Sequence, residues 1–450
     1  MSKLSDVRIE TVSLTFHNEH LTVPLHLSRG AITEVTYAKV VINVRTRAGQ
    51  TSQGVGAILL SDLWAFPHPV YTHAQKDQAM RALCTAISAS VQGNDDYSDP
   101  LEKGHHLEQA LPALMRDVEQ KLAFLEAGDI PRLAALNCLS PFDAAVHDAW
   151  GRALGGSAYN FYAVDWLNAD LGVYLGNEFA GRYPIEFLGQ RRQTLGIQHV
   201  VGMSDALTLD GRAGTDQAVI ELPPDLASWI KRDGINAFKV KSRGQDPLAD
   251  ARRLSVIYAT GLAAGLAPNQ IHLSIDPNEA CASPDFLLEM MDCMAMESPA
   301  ALAALDYIEQ PTARDLSTYT FTLHQVAQRK PVIIDESLDR LENLALLKPL
   351  GWSGLAVKTC KGQTHSLLAY CWGKQHKLFM TIQDLTNPGL ALVHSANLCA
   401  QLDLAVSYFE CNSRQFMPHA CPEEQKEHPA YFHAYDGSLH LPRHEPMGLY

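Results

Sequence analysis

Residues 271–335 read IHLSIDPNEACASPDFLLEMMDCMAMESPAALAALDYIEQPTARDLSTYTFTLHQVAQRKPVIID. Three short apolar runs stand out in this stretch: IHLSID (271–276), LDYIE (305–309) and PVIID (331–335). Each is short enough to be a strand buried on both faces, and each ends in an acid: Asp276, Glu309 or Asp335. The acids lie 33 and then 26 residues apart, about one helix plus one strand in each interval. That is the texture of parallel β/α units.

The same texture continues on both sides. HVVGM (199–203) and INAFKVK (235–241) come before, and GLAVK (354–358), LFMTIQD (378–384) and LAVSYFE (404–410) come after. With the first three they make eight candidate strands, most followed by an amphipathic stretch, which fits a (β/α) barrel or an open doubly wound sheet. No glycine-rich phosphate loop follows any of them, which argues against the nucleotide-binding form of the open sheet. The segment from Cys281 to Leu305 is longer than one crossover helix needs.

The first third differs. VRIETVSLTF and YAKVVINVRTRAG read as strands, and from about Asp77 to Leu136 the pattern turns helical, so an α+β domain is expected. LSPFDAAVHDAWGRALGG reads as a joining helix with Ser140 as its N-cap, Pro141 in its first turn and Gly155-Gly156 as its stop. The expected division is an α+β capping domain over 1–150, a barrel over 151–414, and a tail, 415–450, packing back on the capping domain.

In a barrel the C-terminal ends of the strands share one mouth, so Asp276, Glu309 and Asp335 would converge there. Converging anions repel unless a cation lies among them. With no Cys or His in the set, a hard oxygen-seeking ion, Mg²⁺, fits better than Zn²⁺. Taken singly, each acid reads equally well as a helix N-cap.

INAFKVK carries Lys239 and Lys241 on one face of a strand, with Phe238 and Val240 on the other. If the apolar pair faces the helices, both lysines face the barrel mouth, where the carboxylates would partner them. Lys241 beside a second ammonium and a dication is suited to accept a proton from carbon. An edge strand with solvent-facing lysines is the alternative. Lys358 ends the sixth run, across the barrel, and could act on the other face of a substrate; capping a helix C-terminus is its alternative. Lys361, three residues on, is read as a loop residue without a role.

Composition sets further bounds. The 450 residues are 46 % hydrophobic, enough for a sizeable core. A formal charge of −14, from 36 basic and 50 acidic residues, argues against a nucleic-acid or membrane-surface role. Nine cysteines without a CxxC pair read as reduced thiols. MSKLSDVRIETVSLTF has no signal-peptide h-region, so a cytoplasmic protein is expected.

Taken in order, KVK, SIDPN, YIEQP, IIDES and VKTCKG resemble the functional motifs of the enolase superfamily, in its mandelate-racemase and muconate-lactonizing branch. PFDAAVHDAWGRALGGSAY resembles the helix leading into the barrel there, and RIETVSL a capping-domain strand; the resemblance runs over about residues 7–410. It implies a modified TIM barrel under an N-terminal α+β capping domain, with one Mg²⁺ held by Asp276, Glu309 and Asp335. It implies Lys241 as acid/base on one face, Lys239 tuning it and contacting the substrate carboxylate, and Lys358 serving the opposite face. Asn278 would sit near the metal, and Glu410 would hydrogen-bond the enolic intermediate. The seventh strand end offers Gln383 and Asp384 where the racemase branch has a His, which favours lysine chemistry and leaves Asp384 as a substrate-binding candidate.

The expected activity is removal of the α-proton of a small carboxylate, giving racemisation or epimerisation, cycloisomerisation or β-elimination. Dehydration of an acid sugar and a non-catalytic ligand-binding role remain as alternatives. The partners expected are that carboxylate and, as a homo-oligomer, further copies of the chain. Substrate choice is expected to lie in the first domain, whose loops would close over the mouth: SDLWAFPHPVYTH brings Trp64, Phe66 and His68, and the histidine could bind hydroxyls or carboxylate, though surface and interdomain packing is the commoner reading.

Overall fold

A computed structural model describes residues 2–27, 30–93, 95–208 and 222–450. Three antiparallel strands open the chain: β1 (Val7–Leu27), β2 (Gly30–Thr46) and β3 (Thr51–Leu60). The helices His73–Gln92, Pro100–Lys121 and Arg132–Ala153 follow.

The second part is a curled sheet with helices outside it. Its strands are β4 (Thr194–Val201), β5 (Ala237–Lys241), β6 (His272–Asp276), β7 (Leu305–Glu309), β8 (Val332–Ile334), β9 (Gly354–Val357), β10 (Phe379–Ile382) and β11 (Tyr408–Glu410). They pair in parallel in the order β10-β9-β8-β7-β6-β5-β4-β11. Across the seam between β10 and β11, the Ala405 amide donates to the Met380 carbonyl at 3.0 Å. The fold is thus the barrel with a capping domain that the sequence led us to expect. A late strand, β12 (Ser438–His440), adds to β4 antiparallel.

Each of the eight apolar runs contains a strand, with two larger shifts of boundary, at β4 and at β11, which begins only at Tyr408, four residues into LAVSYFE. β4 begins at Thr194, five residues before HVVGM, and carries the polar Gln198, just ahead of that run, into the barrel, where it donates to Ser274 Oγ and Tyr307 OH. Alternation holds on β5: Phe238 and Val240 enter the large core, while Ala237 joins Tyr307, Ile333, Ala356 and Tyr408 in a separate inner cluster below the mouth. The long segment before β7 holds two helices, Pro284–Glu297 and Pro299–Ala304, broken at Ser298, whose Oγ caps the second.

The joining helix corrects the sequence reading. It runs from Arg132 to Ala153, so Ser140 and Pro141 lie inside it. Pro141 cannot donate to the carbonyl four residues back. Ser140 Oγ donates to that carbonyl, Asn137 O, at 2.9 Å, so the group is not left unpaired. The helix is buried and ties the two parts together. Asn137 and Asp148 accept from the amides of Ser61 and Val55, while Asp143 accepts from the Thr364 amide on the barrel side.

The tail touches both parts. Glu424 accepts from Tyr37 OH at 2.7 Å and Lys39 Nζ at 2.5 Å on the capping sheet, and from the Leu390 amide of the barrel. The Leu449 amide donates to Asp148. All nine cysteines are free thiols. Among the described residues no helix is long and apolar enough to cross a membrane.

Gly54 and Gly56 let β3 lie directly on the joining helix: a Cβ at Gly56 would stand 1.9 Å from the Pro141 carbonyl oxygen, and one at Gly54 2.1 Å from that of Ala145. Replacing Gly56 by valine should force sheet and helix apart and cost about 1–3 kcal/mol or more. Urea unfolding should show a lower midpoint, and an unchanged midpoint would contradict this packing.

Candidate active site

The mouth of the barrel holds a cavity with about 630 Å³ of empty space, part of it open to solvent. Lys239, Lys241, Asp276, Asn278, Asp335, Lys358, Asp384 and Glu410 all line it. The strands explain this: Lys241, Asp276, Glu309 and Glu410 are the last residues of β5, β6, β7 and β11, and Asp335 and Lys358 each follow the last residue of β8 and β9. Glu309 is fully buried beneath the cavity.

These charges are interlocked. Lys239 Nζ lies 2.8 Å from Glu309 Oε1, 3.0 Å from Glu410 Oε2 and 3.2 Å from Asp276 Oδ2. Lys241 Nζ donates to Asp276 Oδ2 at 2.5 Å and Asn278 Oδ1 at 3.1 Å. Lys358 Nζ donates to Asp335 Oδ2 at 2.7 Å. Gln383 Nε2 donates to the other oxygen of Glu309 at 2.5 Å. Asn278 is held at φ 46°, in the left-handed region, where its own amide donates to Asp276 Oδ1.

The electrostatics follow from these contacts. Burial works against the Lys239 ammonium, but Glu309, Glu410 and Asp276 outweigh it and hold its pKa well above the ordinary lysine value. Lys358 is raised in the same way, burial being overcome by Asp335. Burial also opposes the charge of Asp335, yet Lys358, Lys361 and Lys239 keep its carboxyl below the usual range. Asp276 is likewise lowered, by Lys241 and Lys239 against burial. Glu309 goes the other way: burial first, then Asp276, push its carboxyl up to about 7. Asp384 is pushed up to about 8 by burial and by Glu410.

Three residues that the sequence does not assign to the site belong to it. Lys361 is 1 % exposed, and its Nζ donates to the Asp335 carbonyl at 2.6 Å and lies 3.3 Å from Oδ1. The 3₁₀ turn Thr359–Lys361 brings Lys358 and Lys361 to the same aspartate, and their spacing of three is the signal that could have shown it. Trp64 is a packing residue only in part: its Nε1 donates to Asp335 Oδ2 at 3.2 Å, and its ring centroid is 4.9 Å from Lys358 Nζ. Glu336 is buried with its carboxyl raised well above the usual value, by burial first and then Asp335, and it accepts from Asn278 Nδ2 at 3.3 Å.

Whether Asp276, Glu309 and Asp335 suit Mg²⁺ divides into chemistry and arrangement. Among the described residues no three acidic, His or Cys side chains are placed to grip one ion together, because the carboxylate oxygens are turned to ammonium groups. The donor chemistry fits: the set is all oxygen and lies at adjacent strand ends. The raised Glu309 carboxyl marks a position short of positive charge, which a divalent cation would supply.

Asp384 Oδ1 accepts from the amides of Leu385 and Asn387, so an asparagine can keep both bonds. A carboxyl with a pKa of about 8 in the fold and about 3.9 unfolded stays protonated in the fold between those values. Its contribution to stability therefore falls as pH rises from about 4 to 8. Asp384→Asn lacks this dependence, so in chelator-treated protein its stability relative to the parent should improve by about 3–4 kcal/mol between pH 5 and pH 8. Urea unfolding at the two pH values checks this, and a difference that does not change with pH would contradict it.

No protein-family model and no curated protein sequence matches the chain. Solved structures do match its fold. A mandelate racemase/muconate lactonizing protein from Herpetosiphon aurantiacus aligns over 98 % of each chain at 19 % identity, with a TM-score of 0.58. A dipeptide epimerase from Cytophaga hutchinsonii, complexed with Mg and the dipeptide D-Ala-L-Val, aligns over 91 % of this chain and 88 % of its own, at 17 % identity and a TM-score of 0.58. An enolase from Bradyrhizobium, complexed with magnesium and mandelic acid, aligns over 99 % and 96 % at 16 % identity and a TM-score of 0.58. This chain therefore shares the fold, capping domain and barrel together, of solved structures from the mandelate-racemase and muconate-lactonizing branch.

Proposed function

We propose that the chain is a Mg²⁺-dependent enzyme of that branch, which removes the proton α to the carboxylate of a small substrate and returns one to the opposite face. The observation that carries this is the placement of Lys241 and Lys358. They line one cavity from β5 and β9, four steps apart in the sheet, with Asp276 and Asp335 between them.

The residues divide the work. Lys241 accepts the proton from the α-carbon, and Lys358, across the cavity, donates to or accepts from the other face. Lys239, held charged by three carboxylates, supplies a fixed positive charge where the enediolate gains negative charge. Asp276, Glu309 and Asp335 would hold Mg²⁺, which when bound supplies Lewis-acid stabilisation to the substrate carboxylate. Asn278 holds Lys241 and Asp276 together, and Glu410 orients Lys239. Asp384, protonated at neutral pH, can donate a hydrogen bond into the cavity. A two-lysine arrangement favours racemisation or epimerisation over elimination, because both faces of one carbon then meet a proton-transfer group.

The test is α-hydrogen exchange with deuterated solvent, followed by NMR for each enantiomer of a substrate. Lys241→Ala should lower exchange of one enantiomer by about 10²-fold or more and Lys358→Ala that of the other. Exchange at parental rates in both variants would overturn the assignment.

A further inference from the structure

The floor of the cavity is charged, but its roof is not. The capping domain contributes Leu21 from β1, Val35 from β2, Leu59 from β3 and Trp64, and the tail adds Met417. The polar atom of Trp64 is already donated to Asp335. Ser61 is the single capping-domain hydroxyl among the described lining residues. The barrel wall adds Thr386 and Asn412, but against the roof itself a substrate with several hydroxyls would lose water and find few partners. An apolar group would instead be removed from water against five apolar side chains.

We infer that the substrate is a carboxylate whose α-carbon carries an apolar body, an aryl or branched alkyl group, seated against this roof. This rests on the proposed reaction for the placement of the carboxylate over the lysines, and it disfavours an acid sugar. The charged end and the apolar end of the cavity come from different parts of the chain: barrel strand ends supply the chemistry, and the capping sheet with the tail supplies the preference. Trp64 joins the two, since its ring lies in the roof and its Nε1 reaches Asp335 on the floor.

Calorimetry on the full chain with saturating Mg²⁺ can compare 2-hydroxy-3-phenylpropanoate and 2-hydroxy-4-methylpentanoate with gluconate and glycolate. The two apolar acids should bind at least about tenfold more tightly than gluconate and glycolate, as expected for burial of a few methylene equivalents. Leu21→Asn, at a half-buried position, should cut that ratio at least threefold, and Leu59→Asn should do the same where its thermal melt shows it folded. Gluconate binding as tightly as the phenyl acid, or a ratio unchanged in a folded Leu21→Asn protein, overturns the inference. Preferential binding of the apolar acids without α-hydrogen exchange in any acid would sink the proposed reaction and leave the roof assignment standing. Exchange without the preference would do the reverse.

Discussion

Buried charge is expensive unless it is paired, and the mouth of this barrel buries more of it than any other part of the described chain. Lys239 is the centre of the arrangement. Its ammonium, 1 % exposed, lies within 3.2 Å of Asp276, Glu309 and Glu410, three acids from three different strands. Breaking such a set by removing one partner typically costs about 3–5 kcal/mol, since the remaining charges stay buried. The compensation is uneven. Asp335 has two lysines and a tryptophan, whereas Glu309 has one lysine shared with two other acids and an amide. A divalent cation beside Glu309 would offset that imbalance.

The fold exists to bring those strand ends together and to close them off. The inner cluster of Ala237, Tyr307, Ile333, Ala356 and Tyr408 fills the barrel below the site, so the charged groups stand on a packed base and not over an open channel. The joining helix fastens the capping sheet to the barrel through Asn137, Asp143 and Asp148. Arg314, paired with Glu279, donates to the Trp64 carbonyl and so helps fix the capping residue whose indole donates to Asp335. A change in the capping domain is thereby felt at the acids.

Much of this was legible in the chain because strand ends with charged residues are a local signal. The period-2 alternation of INAFKVK placed Lys239 and Lys241 on one face, and the spacing of Asp276, Glu309 and Asp335 placed them at one mouth. What escaped was non-local or geometrical. Trp64 meets Asp335 across 271 residues, and nothing near SDLWAF specifies that contact. Lys361 depends on a single 3₁₀ turn that a loop reading does not foresee. Gln198 interrupts the apolar run of β4 in sequence, although its amide is satisfied inside the barrel. Pro141 reads in sequence as a first-turn residue of the joining helix, yet it sits inside the helix, because Ser140 provides for the carbonyl it leaves.

We propose that this set of acids and lysines accepts one divalent cation. Calorimetric titration of chelator-treated protein with Mg²⁺, in parallel with Glu309→Gln, tests it most directly. One ion bound per chain by the parent, with affinity at least about tenfold lower in the variant, is the result predicted. No saturable binding by the folded parent, or equal affinity in the two proteins, would contradict it.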